Sequence, residues 1–351
     1  MGVLIIGAGN GGLAFGAKLI ERGIKVNLYD KFDSAINPIQ ENNNEITMIS
    51  NGRTKKLRFN FVSNNLKETL IDMNFIFVVV PAFAHHSIAI ELSETIIENQ
   101  IVVLHPGRTG GALEFKNIFT SKRKENIIAE AETMLFAARK DNPTEIKIHG
   151  VKKSVGLASI PTSMSQKITD QVNNYLPYFH NSESVITTSL SNIGAIFHPV
   201  PFLFNFTRIE CKENFKYYHE GITPSISKLL ESLDKERLTI AQGFGLDIQS
   251  AKEWVNFNYE VNGKTLYEAI QLNNSYKDIS APTDIHSRYV MEDIPMSLVP
   301  MRELAKLANI KTPLIDSIVN TASKLYNYDF ICNGRRIEHM KLNSLHTTPT
   351  K

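Results

Sequence analysis

Gly7-Ala-Gly9-Asn-Gly-Gly12 has the spacing G-x-G-x-x-G, directly after the apolar run 3–6 and at the head of a helical pattern. That context makes the glycines a dinucleotide-binding turn rather than a chance match. Gly7 permits the tight turn, Gly9 lets a pyrophosphate approach the backbone, and Gly12 lets the helix lie against the sheet. Ala8 and Asn10 inside the turn, and Pro81 after a later strand, are expected to border the same cofactor. Asp30 stands 18 residues past Gly12 at the end of a second apolar run, near the offset at which an acid meets the adenosine ribose. A carboxylate there repels a 2′-phosphate, so NAD(H) is favoured, with NADP(H) admitted because Lys31 is adjacent.

Other groups could carry protons or grip carboxylates. Two loops expected at the carboxyl ends of strands read Pro81-Ala-Phe-Ala-His-His86 and His105-Pro-Gly-Arg-Thr-Gly-Gly-Ala-Leu-Glu-Phe115. A third holds Ala129-Glu-Ala-Glu-Thr133. Ligands of open α/β sheets bind at that edge. Imidazole has a reference pKa of ~6.5 and exchanges protons near neutrality. His198 lies in Ile-Phe-His-Pro-Val-Pro, where it could equally end a helix before two prolines. Arg288 and Asp293 are five apart, off a common helical face, so a bent segment is needed to bring both into one cleft. Arg108, Arg139 and Arg302 are alternative carboxylate ligands. His85 and His86 receive no assignment, and Trp254 is read as helical packing.

These residues require an α/β scaffold. Short apolar strands are expected at 3–6, 25–29, 59–62, 75–80, 101–104 and 127–129, with helical patterns between several of them. Strands alternating with helices imply a Rossmann-type doubly wound parallel sheet. A hairpin of 145–148 with 154–159, a helix at 163–178 and a last strand at 185–188 complete the first domain, 1–188. Long amphipathic patterns at 224–244, 297–307 and 312–325 make residues 189–351 an all-helical C-terminal domain. Asn42 to Asn44 and Lys122 to Lys124 are read as solvated turns.

Composition removes other classes. A hydrophobic content of 42% with 21% charged residues is ordinary for a globular chain. Thirty-eight Lys and Arg against 36 Asp and Glu leave a net charge of +2, without the clustered basic excess that nucleic acid would need. No run reaches the ~18 apolar residues of a membrane span. Cys211 and Cys332 match no metal-ligand spacing and no nucleophile motif. A cytoplasmic protein without nucleic-acid or membrane partners is expected, and a homodimer is compatible with the reading.

The chain resembles the octopine/nopaline dehydrogenases, also called opine dehydrogenases. The resemblance rests on the glycine fingerprint, Pro106-Gly-Arg-Thr-Gly-Gly-Ala112 and Glu132-Thr133 in the first half. It continues in Asn192-Ile-Gly-Ala-Ile-Phe-His198-Pro, Tyr218-His-Glu-Gly221 with Thr223-Pro224, and Arg288-Tyr-Val-Met-Glu-Asp293-Ile-Pro. It implies a nucleotide domain, a helical domain, and NAD(P)H-dependent condensation of an amino acid's amine with a 2-oxo acid such as pyruvate. By that likeness His198 is the acid/base, Asp293 its charged partner and Arg288 a substrate-carboxylate ligand. Thr109, Glu132 and Thr133 are then substrate contacts. Two further readings fit the same scaffold. One is a simple 2-oxo-acid or ketone reductase of the ketopantoate reductase or glycerol-3-phosphate dehydrogenase type, the other a non-catalytic NAD(H)-sensing protein.

Overall fold

The structure, a computed structural model, describes residues 2–341, which fall into two compact units divided between Thr188 and Ser189. Positions 342–351 of the second expected domain lie outside the described residues.

The first unit is built on an eight-stranded sheet. Its strands are β1 (Gly2–Ile6), β2 (Lys25–Tyr29), β5 (Phe61–Ser63), β6 (Met73–Val78), β7 (Ile101–Leu104), β8 (Ile128–Ala131), β11 (Val155–Ile160) and β12 (Phe179–Asn181). They run in the order β12-β11-β8-β7-β6-β1-β2-β5. The six strands from β8 to β5 are parallel, while β11 pairs antiparallel with β8. This is the doubly wound Rossmann-type sheet that the alternating pattern predicts. Its order reverses at β1, whose neighbours are β6 and β2. Val3, Leu4, Ile5 and Ile6 have no exposed surface, which explains a strand without polar alternation. Each such side chain contributes roughly 1.5–3 kcal/mol.

The helix Asn10–Glu21 starts at Gly9 and packs Leu13, Ala14, Phe15, Ala17 and Leu19 inward. It ends at Arg22 because Gly23 takes φ +80, a conformation that costs glycine little.

A second sheet, absent from the sequence-based expectation, has the order β4-β3-β10-β9. It consists of β3 (Glu45–Ser50), β4 (Arg53–Arg58), β9 (Phe136–Asn142) and β10 (Glu145–Val151). The hairpin expectation is therefore corrected. Residues 145–151 pair with 136–142, whereas 155–160 join the main sheet beside β8. The expected strand at 185–188 is the helix Val185–Leu190. The Ser184 hydroxyl accepts the Thr187 N–H, and that start overrides the β-branched Val-Ile-Thr-Thr preference.

The second unit is helical, as expected. Among its described residues no strand forms beyond a single bridge between Lys216 and Ser280. The long helix Pro224–Gly243 starts with the Thr223 hydroxyl accepting the Ile226 N–H and proline in its first turn. Arg237, fully buried, lies 2.7 Å from Asp234 and donates to the carbonyls of Leu190 and Gln249. A buried cation satisfied this completely pins the helix to the chain on either side, because losing one partner would strand the other charge.

Candidate active site

The nucleotide-binding features lie at the carboxyl end of β1. A Cβ on Gly7 would lie 2.5 Å from the Val79 carbonyl oxygen, and one on Gly12 would run into the Gly7 carbonyl oxygen. A Cβ on Gly9 would meet nothing within 4 Å. The turn is thus packed from behind and open in front, as a phosphate cradle must be, with the helix amides facing the opening. Asp30 ends β2, and its carboxylate accepts the N–H groups of Ala8 (2.8 Å) and Phe32 (3.1 Å). The Lys31 ammonium stands 4.9 Å over the exposed Phe32 ring. Asn10 accepts the Lys140 N–H on its side-chain oxygen, a partner 130 residues away that the sequence did not announce. Pro81 begins the turn Ala82–Ala84 after β6.

A carboxylate on β8 holds the loop after β7. Glu130, at the end of β8 and without exposed surface, accepts the Ala112 N–H (2.7 Å) and the Thr188 hydroxyl (2.7 Å). It holds down the loop 105–112, in which Arg108 takes φ +56. Thr109 is fully buried, so its side chain packs within the loop rather than lining its surface. Glu132 is half-buried and accepts the Gly156 N–H at 2.9 Å. The Thr133 hydroxyl accepts from the Lys152 ammonium at 2.6 Å.

Lys152 was not foreseen. It is next to this edge because β11 runs antiparallel, bringing its N-terminal end beside the carboxyl end of β8. Burial pulls its ammonium down to about 8, with Glu132 opposing and Arg108 adding to the shift. His86 pairs with Glu114 at 3.0 Å, and His85 is buried. A groove of about 770 Å³ lined by Lys122, Arg123 and Lys124 lies at the amino ends of β7 and β8. That is the opposite edge of the sheet from the glycine turn.

In the helical unit, His198 sits between the single turn Gly194–Phe197 and the helix Pro199–Phe204. Its backbone is indeed a helix junction before proline, and its side chain does more. Nδ1 lies 2.7 Å from Oδ2 of Asp293, which is 1% exposed. The imidazole stacks on Tyr289 with ring centroids 4.1 Å apart and planes at 8°. The Tyr217 hydroxyl donates to the His198 carbonyl at 2.6 Å. Asn192 donates to the Ser297 hydroxyl at 2.8 Å, and that hydroxyl lies 3.5 Å from Oδ1 of Asp293.

The bend required between Arg288 and Asp293 exists. The turn Arg288–Met291 gives way to the π-helical turn Ile294–Leu298, and Glu292 and Asp293 occupy the break. Arg288 is largely exposed and pairs through Nε with the buried Glu292. Arg302 is paired with Asp316 and Glu303, a structural arrangement that removes it as a free carboxylate ligand. Tyr289, inside the quoted motif 288–295, and Tyr217, just before the motif 218–221, received no role, because a tyrosine there carries no spacing signal of its own.

Residues 181–326 match the family model described as NAD/NADP octopine/nopaline dehydrogenase, alpha-helical domain. Residues 2–130 match the NAD-dependent glycerol-3-phosphate dehydrogenase N-terminus. The opine dehydrogenase of Arthrobacter sp. (strain 1C) is 36% identical over 342 residues, covering 97% of this chain and 95% of that one. The chain belongs to the opine dehydrogenase family. Octopine dehydrogenase of Pecten maximus is 22% identical over 83% of the chain and 80% of its own length. A solved octopine dehydrogenase with NADH and L-arginine superposes with a TM-score of 0.84 at 20% identity, covering 100% of this chain and 98% of that one. As an opine dehydrogenase, the protein is an NAD(P)-dependent oxidoreductase acting on CH–NH bonds. No helix among its described residues is long and apolar enough to cross a membrane.

Proposed function

We propose that this opine dehydrogenase reductively condenses the amino group of an amino acid with a pyruvate-like 2-oxo acid through an imine, using NADH. The His198–Asp293 pair carries this reading, since amine deprotonation, loss of carbinolamine oxygen as water and imine formation each need a group that exchanges protons. Asp293 holds Nδ1, which leaves Nε2 to exchange the proton, and it favours the imidazolium electrostatically. Nε2 has no partner among the described residues. Tyr289 against the ring face and Tyr217 on the carbonyl fix the ring's plane.

Gly7, Ala8, Gly9, Asn10, Gly12, Asp30 and Pro81 hold the dinucleotide, which supplies the hydride when bound. Asp30 selects NADH by repelling a 2′-phosphate. Arg288 offers its outer nitrogens to a substrate carboxylate, a task suited to a planar guanidinium. At the sheet edge Glu132 and Thr133 meet the substrate, and Thr109 acts through the loop it stabilises. Arg108 and Lys152 place cationic groups at the same edge as Glu132.

A matrix of 2-oxo acids against amino acids, read by NADH absorbance, tests the reading. The expected result is NADH oxidation that requires both partners. Oxidation by a 2-oxo acid with no amine present would establish a simple ketone reductase instead.

A further inference from the structure

We propose that Lys140 is a ligand of the dinucleotide's pyrophosphate, carried to the glycine turn by the β9–β10 hairpin. The inference rests on the nucleotide-binding part of the reading above and is independent of the amine chemistry. Lys140 touches the G-x-G-x-x-G segment twice. Its backbone N–H donates to the Asn10 side chain at 3.0 Å, and its ammonium donates to the Ala8 carbonyl at 3.3 Å. Both contacted residues flank Gly9, in front of which there is open space.

The ammonium has three donors and uses one. No carboxylate lies within ion-pair distance of it among the described residues. The half-buried ammonium rests on a neutral carbonyl, with no opposite charge beside it. A diphosphate arriving at the helix amides would bring two negative charges within its reach and add the Coulomb attraction that a carbonyl does not supply.

The hairpin is no loose arm. Phe136 at the start of β9 packs edge-on against Phe15 of the helix that opens at Asn10, with centroids 5.9 Å apart. Ile146 and Ile148 of β10 are buried in the same core as Leu13 and Phe15. Lys140 is therefore fixed relative to the turn before any ligand arrives, so little ordering cost is left for binding.

The test is titration of the full chain with NADH, ADP and adenosine, for the parent, Lys140→Gln and Lys140→Arg. Lys140→Gln is expected to weaken NADH and ADP about tenfold while changing adenosine less than about twofold. Lys140→Arg should stay within about threefold of the parent, and NaCl should weaken NADH binding less in Lys140→Gln than in the parent. NADH affinity in Lys140→Gln within about twofold of the parent would overturn the proposal, as would an equal loss for all three ligands. A parent chain that does not bind NADH would overturn the nucleotide reading along with it. NADH binding without condensation would remove only the reaction.

Discussion

An imidazole proposed to take and return protons needs one tautomer and one orientation, and five residues supply both to His198. Asp293 accepts from Nδ1, Tyr289 covers one ring face, Tyr217 ties down the backbone, and Ser297 with Asn192 backs the aspartate. His198→Ala and Asp293→Asn should each lower turnover by a factor on the order of 10²–10⁴. NADH affinity should remain within about twofold, since neither side chain belongs to the glycine turn. Unchanged turnover in both variants, measured with the best substrate pair of the matrix, would dismiss the pair as the proton carrier. Long peculiar motifs singled out His198, Asp293 and Arg288, and the structure brings the first two to 2.7 Å. Tyr289, Lys140 and Lys152 were not, because what matters about them is a contact made across the fold rather than a spacing along the chain.

At the level of elements, the glycine turn separates packing from binding in a way that two alanines can read. Gly12→Ala would push a methyl group into the Gly7 carbonyl, forcing the helix Asn10–Glu21 away from β1. A loss of about 2–4 kcal/mol in unfolding free energy is expected, visible as a lowered urea midpoint. Gly9→Ala has open space and an extended backbone, so its stability cost should stay near 1 kcal/mol, while NADH binding weakens because the methyl group occupies the cradle. Equal destabilisation by the two changes would contradict this division. The parallel strands were readable because burial on both faces leaves uninterrupted apolar runs. The second sheet was not. In β4 only Leu57 of Arg53-Thr-Lys-Lys-Leu-Arg58 is apolar, and the strand stands because it pairs with β3, whose Ile46 and Met48 supply the burial. Residues 185–188 misled in the opposite direction, since β-branched side chains suggest a strand wherever tertiary packing does not decide.

Across the whole molecule, one buried imidazole of the first unit is where acid is expected to act. His105, at the end of β7, is fully buried against Phe15 and Phe179 and accepts the Leu135 N–H on Nε2. Burial first, and the nearby Lys152 second, push its pKa down to about 3. The unfolded chain takes up this proton near pH 6.5, whereas the folded chain refuses it until about pH 3. Unfolding is therefore favoured as the pH falls between those values, and the stability that neutral His105 permits is intact only above the unfolded pKa. From pH 7 to pH 5 the loss amounts to about 2 kcal/mol. It falls on the unit 1–188, while Trp254, the only tryptophan, reports from the other unit. Urea unfolding followed by circular dichroism should shift to lower midpoints at pH 5 by more than unfolding followed by Trp254 emission. His105→Gln should abolish most of that difference. Coincident shifts in the parent would mean that both units unfold as one, and a persistent acid shift in His105→Gln would place its origin in another group.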